Sequence, residues 1–260
     1  IFDSNSGNFI FISASDAVLR AWEIVPTSDT TFSFSYVSSS IGSSHNSPIA
    51  VATDGNGNFM TIGATNNDKG FLCNVTYDPN SSPKFNFSSV NQFHNSRLLH
   101  SKSIVYNSVQ DKFVAVYGDY GTDQGKSFVA QVATNSLSAP TTGSHTTWES
   151  DNAFDFNISY DPVNDYVVIA TYSRDNGNHG VIFVGQVNGT SVSYGSGNSY
   201  GSNKIRNNVV YDSYDNNFKL AYQDYPFPTM GNPQIKTFTL DSSGGVTFDN
   251  SSQEQISSVP

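Results

Sequence analysis

Carboxylates outside the regular turns are the side chains of this sequence best suited to acid–base chemistry. Cleavage of a glycosidic bond needs two or three carboxylates that converge on one bond, and the chain has only three glutamates: Glu23, Glu149 and Glu254. Glu149 stands near Asp151, and this is the single acidic pair in a less regular loop. No nucleophile-elbow or zinc-hydrolase signature accompanies it. The sequence therefore predicts no catalysis.

Aromatic and charged side chains in the irregular loops are the candidate ligand-binding residues. Aromatic rings beside Asp, Asn and Gln can stack on sugars and hydrogen-bond to them. The hypothesis is that a site draws on Trp148, Tyr120, Arg174, Tyr225, Phe227, Asp119, Asp175 and Asp224. Two alternatives stay open: the rings pack between neighbouring sheets, and the aspartates form turns that bond their own backbone.

A metal site has weaker support from the spacing. An Asp or Asn recurs after one predicted strand of each repeat, where a ring of acceptors for Ca²⁺ or for sugar hydroxyls could form. We favour Asx turns at these positions, because they belong to the repeat itself. The five histidines lie at different offsets within their repeats, whereas zinc needs converging ligands at fixed spacing. We therefore expect no metal and no cofactor.

Those loops belong to a repeat of about 52 residues. A Tyr-Asp pair, a turn and a strand rich in aromatic and Val residues recur five times, with anchors 51, 53, 54 and 51 residues apart at Asp3, Asp54, Asn107, Asp161 and Asp212. A unit of four short strands at this period predicts an all-β fold, a five-bladed β-propeller. We expect one domain over residues 1–260, with blades at about 1–48, 49–101, 102–155, 156–206 and 207–260.

The strands of the fifth repeat are the ones that the sequence pattern predicts most clearly. They are expected at residues 208–211, 218–222, 234–240 and 246–248. The last residues, 255–260, have the composition that precedes a first strand, so we expect them to complete the first blade in line with Ile1 and to close the ring. The alternative is a stretch of a longer open array. Because the chain begins with Ile1 and not with Met, we expect a processed product or a piece of something longer, and we favour a module of a longer protein.

Composition excludes two classes of partner. The net charge is −10 with only 12 Lys and Arg, whereas a nucleic-acid partner needs a basic face. No stretch approaches the roughly 18 consecutive apolar residues of a membrane span, so no membrane insertion is expected. The lone cysteine, Cys73, has apolar neighbours and is predicted to be a buried strand thiol.

Two stretches resemble a known family. The sequence Gly-Gln-Val-Asn-Gly-Thr-Ser-Val-Ser-Tyr-Gly-Ser over residues 185–196 is similar to a repeat of tail-fibre and virion-surface proteins of marine bacteriophages, cyanophages among them. The stretches at 208–212 and 219–224 resemble the next part of that unit. The fourth and fifth repeats match well, the third moderately, and the first two only in outline.

The resemblance implies a virion-surface module that attaches to a host, with a cell-surface glycan as the expected ligand. A structural or decorating protein of the virion is the alternative, with other virion proteins as partners. A glycosidase on a five-bladed propeller is the second alternative. The parent fibre could make the module a homo-oligomer. The expected location is the extracellular virion surface, and the alternative is a secreted or cell-surface protein.

Overall fold

The computed structural model describes the 260-residue chain except residues 4, 16–17, 29–30, 41–48, 66–67, 134–136, 151–152, 174–178, 225–232 and 256–260. The described part contains strands and turns but no helix, which confirms the prediction of an all-β fold. The chain divides into two compact units. The first is Ile1–Ala115 with Ala130–Thr142, and the second is Val116–Val129 with Gly143–Pro260.

The first repeat builds one antiparallel sheet in which neighbouring strands follow chain order. It consists of β1 (Phe2–Asp3), β2 (Asn8–Ser15), β3 (Val18–Ser28) and β4 (Thr31–Ser40). The second sheet has nine strands and includes β5 (Ala50–Thr53), β6 (Asn58–Ala64), β7 (Lys69–Tyr77), β8 (Phe85–Phe87) and the long β9 (Asn91–Asn107), which continues into the third repeat. Both β8 and β9 pair with β7.

The later repeats follow the same plan. The third repeat uses the end of β9 and adds β10 (Lys112–Asp119), β11 (Gln124–Gln131), β12 (Thr141–Thr142) and β13 (Thr146–Glu149). The fourth repeat contains β14 (Ala153–Asp161), β15 (Tyr166–Ser173), β16 (His179–Asn188), β17 (Ser191–Tyr194) and β18 (Asn198–Ser202). The fifth repeat contains β19 (Lys204–Asp212), β20 (Asn217–Asp224), β21 (Gln234–Leu240) and β22 (Val246–Gln255).

The repeated Tyr-Asp pair builds the turn between the first two strands of a repeat. In the fourth repeat, Asp161 Oδ1 accepts hydrogen bonds from the backbone N–H groups of Val163 and Asn164, at 2.9 and 3.2 Å. Asp165 then takes a left-handed conformation (φ 57°) that Asp and Asn tolerate better than most residues. The Tyr160 hydroxyl donates to Asp165 Oδ1 at 3.1 Å. Equivalent turns are held by Asn107 and Asp212, followed by the left-handed residues Asp111 and Asn216.

The outer edge of the middle repeats differs from the predicted single strand. In repeats two, three and four it is broken into two parts, each of which pairs with the third strand of the repeat. A three-residue break separates the two parts, at residues 88–90, 143–145 and 195–197. The second part carries an aromatic residue that lies over a glycine of the third strand.

These glycine–aromatic pairs are a structural rule of the repeat. An ideal Cβ placed on Gly125 would lie 2.4 Å from the indole ring of Trp148. An ideal Cβ on Gly70 would lie 2.4 Å from the Phe93 ring, and one on Gly180 would lie 2.2 Å from the Tyr200 ring. In each case the strand pairing changes register beside the glycine. The ring fills the space that a missing side chain leaves, as in the aromatic rescue of glycines in sheets.

Each compact unit has its own apolar core between stacked sheets. In the first unit, side chains of β2 and β3 pack against the second sheet: Ile10, Ile12, Leu19 and Ala21 against Phe59, Phe71, Cys73, Val75 and Tyr77. In the second unit, the fourth and fifth repeats do the same through Val168, Ala170, Ile182, Val184, Val209, Phe218, Leu220, Tyr222 and Phe238. Alternate residues of each strand therefore enter one core.

The other face of β2 is aromatic and exposed. Phe9 is 44% and Phe11 55% exposed, and their rings lie 5.2 Å from those of Phe2 and Trp22 respectively. The residues equivalent to Phe9 and Phe11 in the second strand of each later repeat are all buried: Phe59, Thr61, Phe113, Ala115, Val167, Ile169, Phe218 and Leu220. The first repeat is thus the exception to a burial rule that the other four obey.

A buried glutamate joins the first two sheets. Glu23 on β3 is 2% exposed, and its Oε1 accepts hydrogen bonds from Asn8 Nδ2, at 3.0 Å, and from the Tyr77 hydroxyl. Lys84 Nζ lies 2.6 Å from Oε2. Asn8 Nδ2 also donates to the Tyr77 hydroxyl, at 2.9 Å. Each carboxylate oxygen has a partner, so this buried charge links the two sheets and fixes the position of one against the other.

Cys73 is a buried thiol, as predicted. Its side chain is fully enclosed on β7, and Sγ lies 3.5 Å from the carbonyl oxygen of Ser88. Burial raises the pKa of the Cys73 thiol to about 11. Since the thiolate is the reactive form of cysteine, this residue has the character of a small core side chain and not of a nucleophile.

The glycine–aromatic rule can be tested at one pair. We expect Gly125→Ala to lower the free energy of unfolding by about 1–3 kcal/mol, because the added methyl group overpacks the Trp148 ring. Gly121→Ala is the matched control, since a Cβ there meets only Asp119 Oδ1 at an ordinary 3.5 Å. Urea denaturation followed by far-UV circular dichroism measures both. Equal losses in the two variants would contradict the rule.

Candidate functional site

The structure describes four of the eight predicted site residues. Trp148, Tyr120, Asp119 and Asp224 are described, whereas the others lie outside the described residues: Arg174, Asp175, Tyr225 and Phe227. Asp151, the proposed partner of Glu149, also lies outside them.

Trp148 is a buried wall and not an exposed stacking platform. It is 5% exposed, its ring lies over Gly125, and its centroid is 5.3 Å from that of Phe156 and 5.6 Å from that of Phe183. Its indole Nε1 is buried and has no hydrogen-bond partner among the described residues. Buried N–H groups of this kind normally find a protein or water acceptor. The edge of this ring therefore marks a place where a polar atom is favoured.

The two described aspartates of the predicted site are ion-paired. Asp119 is almost fully buried and its Oδ2 lies 2.7 Å from Lys126 Nζ. Asp224 contacts Lys204 Nζ and accepts a hydrogen bond from Gln234 Nε2, at 2.9 Å. A ligand at either carboxylate would have to compete with a bound ammonium group. The exposed ring in this set is Tyr120, which follows β10 and is 52% exposed.

A cleft of about 620 Å³ lies beside Trp148, entirely within the second unit. Residues of β13, β16 and β18 and of the segments next to them form its walls. They are Thr147, Trp148, Glu149, Ser150, His179, Val181, Phe183, Gly197 and Ser199. Trp148, Val181 and Phe183 are its apolar side chains, and the remaining lining carries hydroxyls, an imidazole and a carboxyl. Clefts with apolar walls and a few converging polar groups are the usual form of a small-molecule site.

Glu149 is the residue of this cleft that the fold does not require. It follows the aromatic residue of the glycine–aromatic pair, a place held by His94 after Phe93 and by Gly201 after Tyr200. Two other repeats, the second and the fourth, therefore build the same bulge without an acid. Glu149 is nonetheless 5% exposed, and burial of a carboxyl has an energetic cost. A costly group that the repeat does not need is a candidate for function.

The polar lining of the cleft is partly preorganised. His179 Nδ1 lies 3.1 Å from the hydroxyl oxygen of Ser199. Gly197 lies against the apolar lining residues, because a Cβ there would lie 2.6 Å from Val181 and 3.0 Å from the Phe183 ring. Hydroxyl, imidazole and carboxyl groups can each accept or exchange hydrogen bonds with an alcohol-rich ligand. The arrangement suits a molecule with several hydroxyls and one apolar face.

A second groove lies along the outer strands of the same unit. It has a volume of about 400 Å³, and its walls include Tyr166, Gln186, Tyr194, Asn198 and Gly244. Its lining residues in the described part of the chain include no charged side chain. It lacks the buried carboxyl that distinguishes the first cleft, so we assign the candidate site to the Trp148–Glu149 cleft, meaning the nine residues that line it.

The described residues do not group into a metal centre. Within the part of the chain that the structure describes, no three His, Cys, Asp or Glu side chains lie close enough together to hold an ion. Of the recurrent Asp and Asn positions, Asp16, Asn66 and Asp175 lie outside the described residues. A search of the described residues also finds no helix with the length and apolar character of a membrane span.

Comparison with known proteins informs the fold alone. No protein-family model and no curated protein matches the chain. Among solved structures it is similar to Sqt1 of Chaetomium thermophilum, with 14% sequence identity and a TM-score of 0.54 over 91% of this chain and 55% of that one. The chain thus spans about half the length of Sqt1.

Two more distant structures concern carbohydrates. The chain is similar to the SapL1 lectin, solved in complex with alpha methyl fucoside, at 12% identity and a TM-score of 0.49, over 95% of this chain and 81% of the lectin. It is similar to an α-L-arabinofuranosidase of Clostridium thermocellum at 10% identity and a TM-score of 0.45, over 95% and 94%. Both structures are propeller-like. Neither likeness is close enough to transfer an activity.

The prediction that this chain is not an enzyme is wrong. Enzymes that act on sugars, the arabinofuranosidase among them, recur among the similar structures. The missing catalytic motif was the basis of that prediction. A motif search has little power in such a fold, because catalytic side chains converge from loops of several repeats and share no fixed spacing in sequence.

The two buried glutamates provide a test of the candidate site. We expect Glu149→Gln to change the free energy of unfolding by less than about 1 kcal/mol, since the repeat is built without an acid there. Glu23→Gln is the matched control and should cost about 2 kcal/mol, because the Lys84 ammonium and two hydrogen-bond donors lose a charged acceptor. Urea denaturation measures both. A larger loss for Glu149→Gln than for Glu23→Gln would make Glu149 a structural residue.

Proposed function

We propose that this chain recognises carbohydrate in the Trp148–Glu149 cleft. The observation that carries the proposal is Glu149, a buried carboxyl at a cleft, in a position where the equivalent residues of other repeats are not acids. A carboxylate accepts hydrogen bonds from sugar hydroxyls, and charge-assisted bonds of this kind are among the stronger polar contacts. The hydroxyls of Thr147, Ser150 and Ser199 supply further partners.

The shape and depth of the cleft support the same ligand class. Its volume, about 620 Å³, lies in the range of ordinary small-molecule sites, roughly 300–1,000 Å³. The edges of Trp148 and Phe183 form apolar walls against which the C–H face of a pyranose could pack.

Glycoside hydrolysis is the second candidate function, and the surroundings of Glu149 favour it. A carboxyl in a cleft with aromatic walls is the usual setting for a general acid that protonates a leaving-group oxygen. Hydrolysis needs a second carboxylate, and Asp151 is the nearest acid in sequence. In this mechanism Glu149 donates its proton to the glycosidic oxygen while the second carboxylate activates water or attacks the anomeric carbon.

We further propose that the five repeats form a five-bladed β-propeller in one domain. The regular spacing of the anchors and the stacked antiparallel sheets support this architecture. So does the exposed aromatic face of β2, because every later repeat buries the equivalent face. In a closed ring another sheet would cover Phe9 and Phe11, as it does their counterparts. Completion of the first blade by the C-terminus falls on residues outside the described part of the chain.

The biological setting that we propose rests on the sequence resemblance. The repeat is similar to those of phage tail-fibre and virion-surface proteins, so the module would lie on a virion and bind a host glycan. Decoration of the particle, through contacts with other virion proteins, is the alternative. A cleft that holds a sugar favours attachment, because a decorating protein needs a docking surface and no ligand site.

Binding and hydrolysis are tested with one protein preparation. We expect the chain to bind members of a glycan array saturably, and Glu149→Gln to weaken that binding by at least tenfold, about 1.4 kcal/mol. Any bound oligosaccharide is then incubated with the protein at micromolar concentration and analysed by mass spectrometry. Cleavage products that vanish in Glu149→Gln would establish a glycosidase, and intact sugar would leave binding as the function.

Asp165→Asn serves as the control for these measurements. It removes the same charge but lies in a turn where the fifth repeat already has Asn216 with the same left-handed backbone, so binding should be unchanged. If the folded wild-type protein binds no glycan, carbohydrate recognition is wrong. If Glu149→Gln binds as the wild type does, the site lies elsewhere, with the groove at Tyr166 as the next candidate.

Closure of the ring is tested by stability. If Phe11 is covered in a propeller, we expect Phe11→Ser to lower the free energy of unfolding by about 3 kcal/mol, the usual loss for a buried aromatic side chain. If Phe11 is not covered, Phe11→Ser should lower the free energy of unfolding by less than about 0.5 kcal/mol. Val163→Ser, at a turn residue that is 66% exposed, is the control and should have little effect. Equal small effects of the two variants would exclude closure over this face.

A further inference from the structure

We infer that the groove between the fourth and fifth repeats is a second sugar-binding site, which we call the Tyr166 groove after the aromatic residue in its wall. The inference extends the proposed function to a second site and does not depend on Glu149. The volume of the groove, about 400 Å³, lies within the roughly 300–1,000 Å³ of ordinary small-molecule sites. The structure describes the chain around it over residues 153–173, 179–224 and 233–249.

Strand register places the polar side chains of the groove on one face of the fourth sheet. Gln186 of β16 pairs with Tyr166 of β15, and cross-strand partners share a face. Val184 lies two residues before Gln186 on the same face, and it belongs to the core shared with the fifth repeat. Asn198 of β18 pairs with Ile182, which belongs to that core too. The groove therefore opens beside the contact between the two repeats.

The Trp148–Glu149 cleft lies on the opposite face of the same sheet. Its wall includes Phe183, which is next to Val184 in β16, and consecutive strand residues point to opposite faces. The Phe183 ring lies beside Trp148, with centroids 5.6 Å apart, whereas Val184 packs in the core with the fifth repeat. The cleft and the groove share no wall residue. Each can therefore hold a ligand while the other is occupied.

A longer hairpin in the fifth repeat forms one wall of the groove. Two residues, 189 and 190, connect β16 to β17, whereas five residues, 241–245, connect β21 to β22. The shorter hairpin packs directly on the third repeat, since a Cβ on Gly143 would lie 1.8 Å from the carbonyl oxygen of Thr190. The longer hairpin reaches the fourth sheet, where a Cβ on Gly244 would lie 3.4 Å from the Tyr166 ring. Its length leaves room for the groove.

The longer hairpin is fixed before a ligand arrives. Asp241 Oδ1 accepts hydrogen bonds from the backbone N–H groups of Ser243 and Gly245, at 2.8 and 2.9 Å. The Tyr166 hydroxyl donates to the carbonyl oxygen of Ser242, at 3.2 Å. The first contacts hold the shape of the turn, and the last one holds the turn against the fourth sheet. Because this wall is already ordered, binding does not carry the entropic cost of ordering it.

The side chains of the groove suit a sugar. Gln186 and Asn198 each supply an amide, which has one acceptor atom and two donor hydrogens. Neighbouring hydroxyls of a sugar can bond to both ends of such an amide. Asn198 Nδ2 donates to the carbonyl oxygen of Ser196 at 3.3 Å, which orients that amide. The Tyr166 ring adds an apolar surface against which sugar C–H groups can pack.

The experiment is an NMR titration of the full, isotope-labelled 260-residue chain. The probes are the neutral oligosaccharides of the glycan array that bind the chain. The indole N–H signal of Trp148 reports on the cleft, and the side-chain NH₂ signals of Gln186 and Asn198 report on the groove. We expect saturable shifts at both places. Glu149→Gln should weaken the response of Trp148 alone.

Gln186→Ala should weaken the response of the Asn198 signal by about tenfold, the loss of one or two hydrogen bonds, and leave that of Trp148 unchanged. Gln131→Ala is the matched control, because Gln131 is an exposed strand glutamine outside both walls. It should change neither response.

A second variant guards against an indirect effect of Gln186→Ala. Ser196 is an exposed residue of the groove wall, so Ser196→Trp fills the groove without replacing a buried side chain. We expect it to abolish the response of Asn198 and to keep that of Trp148. A response at Trp148 with none at Gln186 and Asn198 would overturn the inference and leave the proposed function intact. The reverse result would support the groove and overturn the assignment to the cleft. Absence of binding to every array member by folded protein would overturn both.

Discussion

The need to cover both faces of each sheet governs this structure. Neighbouring residues of β6, such as Met60 and Thr61, point to opposite faces and are both completely buried. A lone four-stranded sheet cannot keep two such faces out of water, so its stability depends on the sheets that stack against it. Each repeat is therefore stable only as part of a series. The residues left to vary are those at strand ends and at the outer edge, where no sheet packs against them.

Local features of this series could be predicted from the sequence, whereas features that depend on distant pairing could not. The turn at Asp161 forms within five residues, because two backbone N–H groups donate to one side chain. Strand β21 begins and ends where the repeat predicts. The bulge that places Trp148 over Gly125 joins residues 23 positions apart in sequence. No local signal marks such a pair, so the sequence alone predicts that Trp148 is a loop aromatic available to a ligand.

The same limit applies to the candidate site. Sequence reasoning identified Glu149 through its nearness to Asp151 and could not predict that its side chain is buried at a cleft. It named Asp119 and Asp224 as acceptors, but Lys126 and Lys204 neutralise them, because a strand pairing brings each lysine to the carboxylate. Alignment of the repeats on the glycine–aromatic pairs distinguishes Glu149. In the three described pairs, the residue after the aromatic is His94, Glu149 or Gly201, and Glu149 is the acid among them.

This pattern explains how a site can arise in a repeat protein without loss of the fold. The turn aspartates and the glycines under the aromatic rings are constrained, because their replacement removes a hydrogen bond or creates an overlap. The position after the aromatic ring has no such constraint, as His94, Glu149 and Gly201 show by occupying it in turn. Trp148 can therefore keep its structural contact with Gly125 while the next residue brings a carboxyl to the cleft. Glu23 has a structural role: Asn8, Tyr77 and Lys84 bind its carboxylate, and these contacts join two sheets.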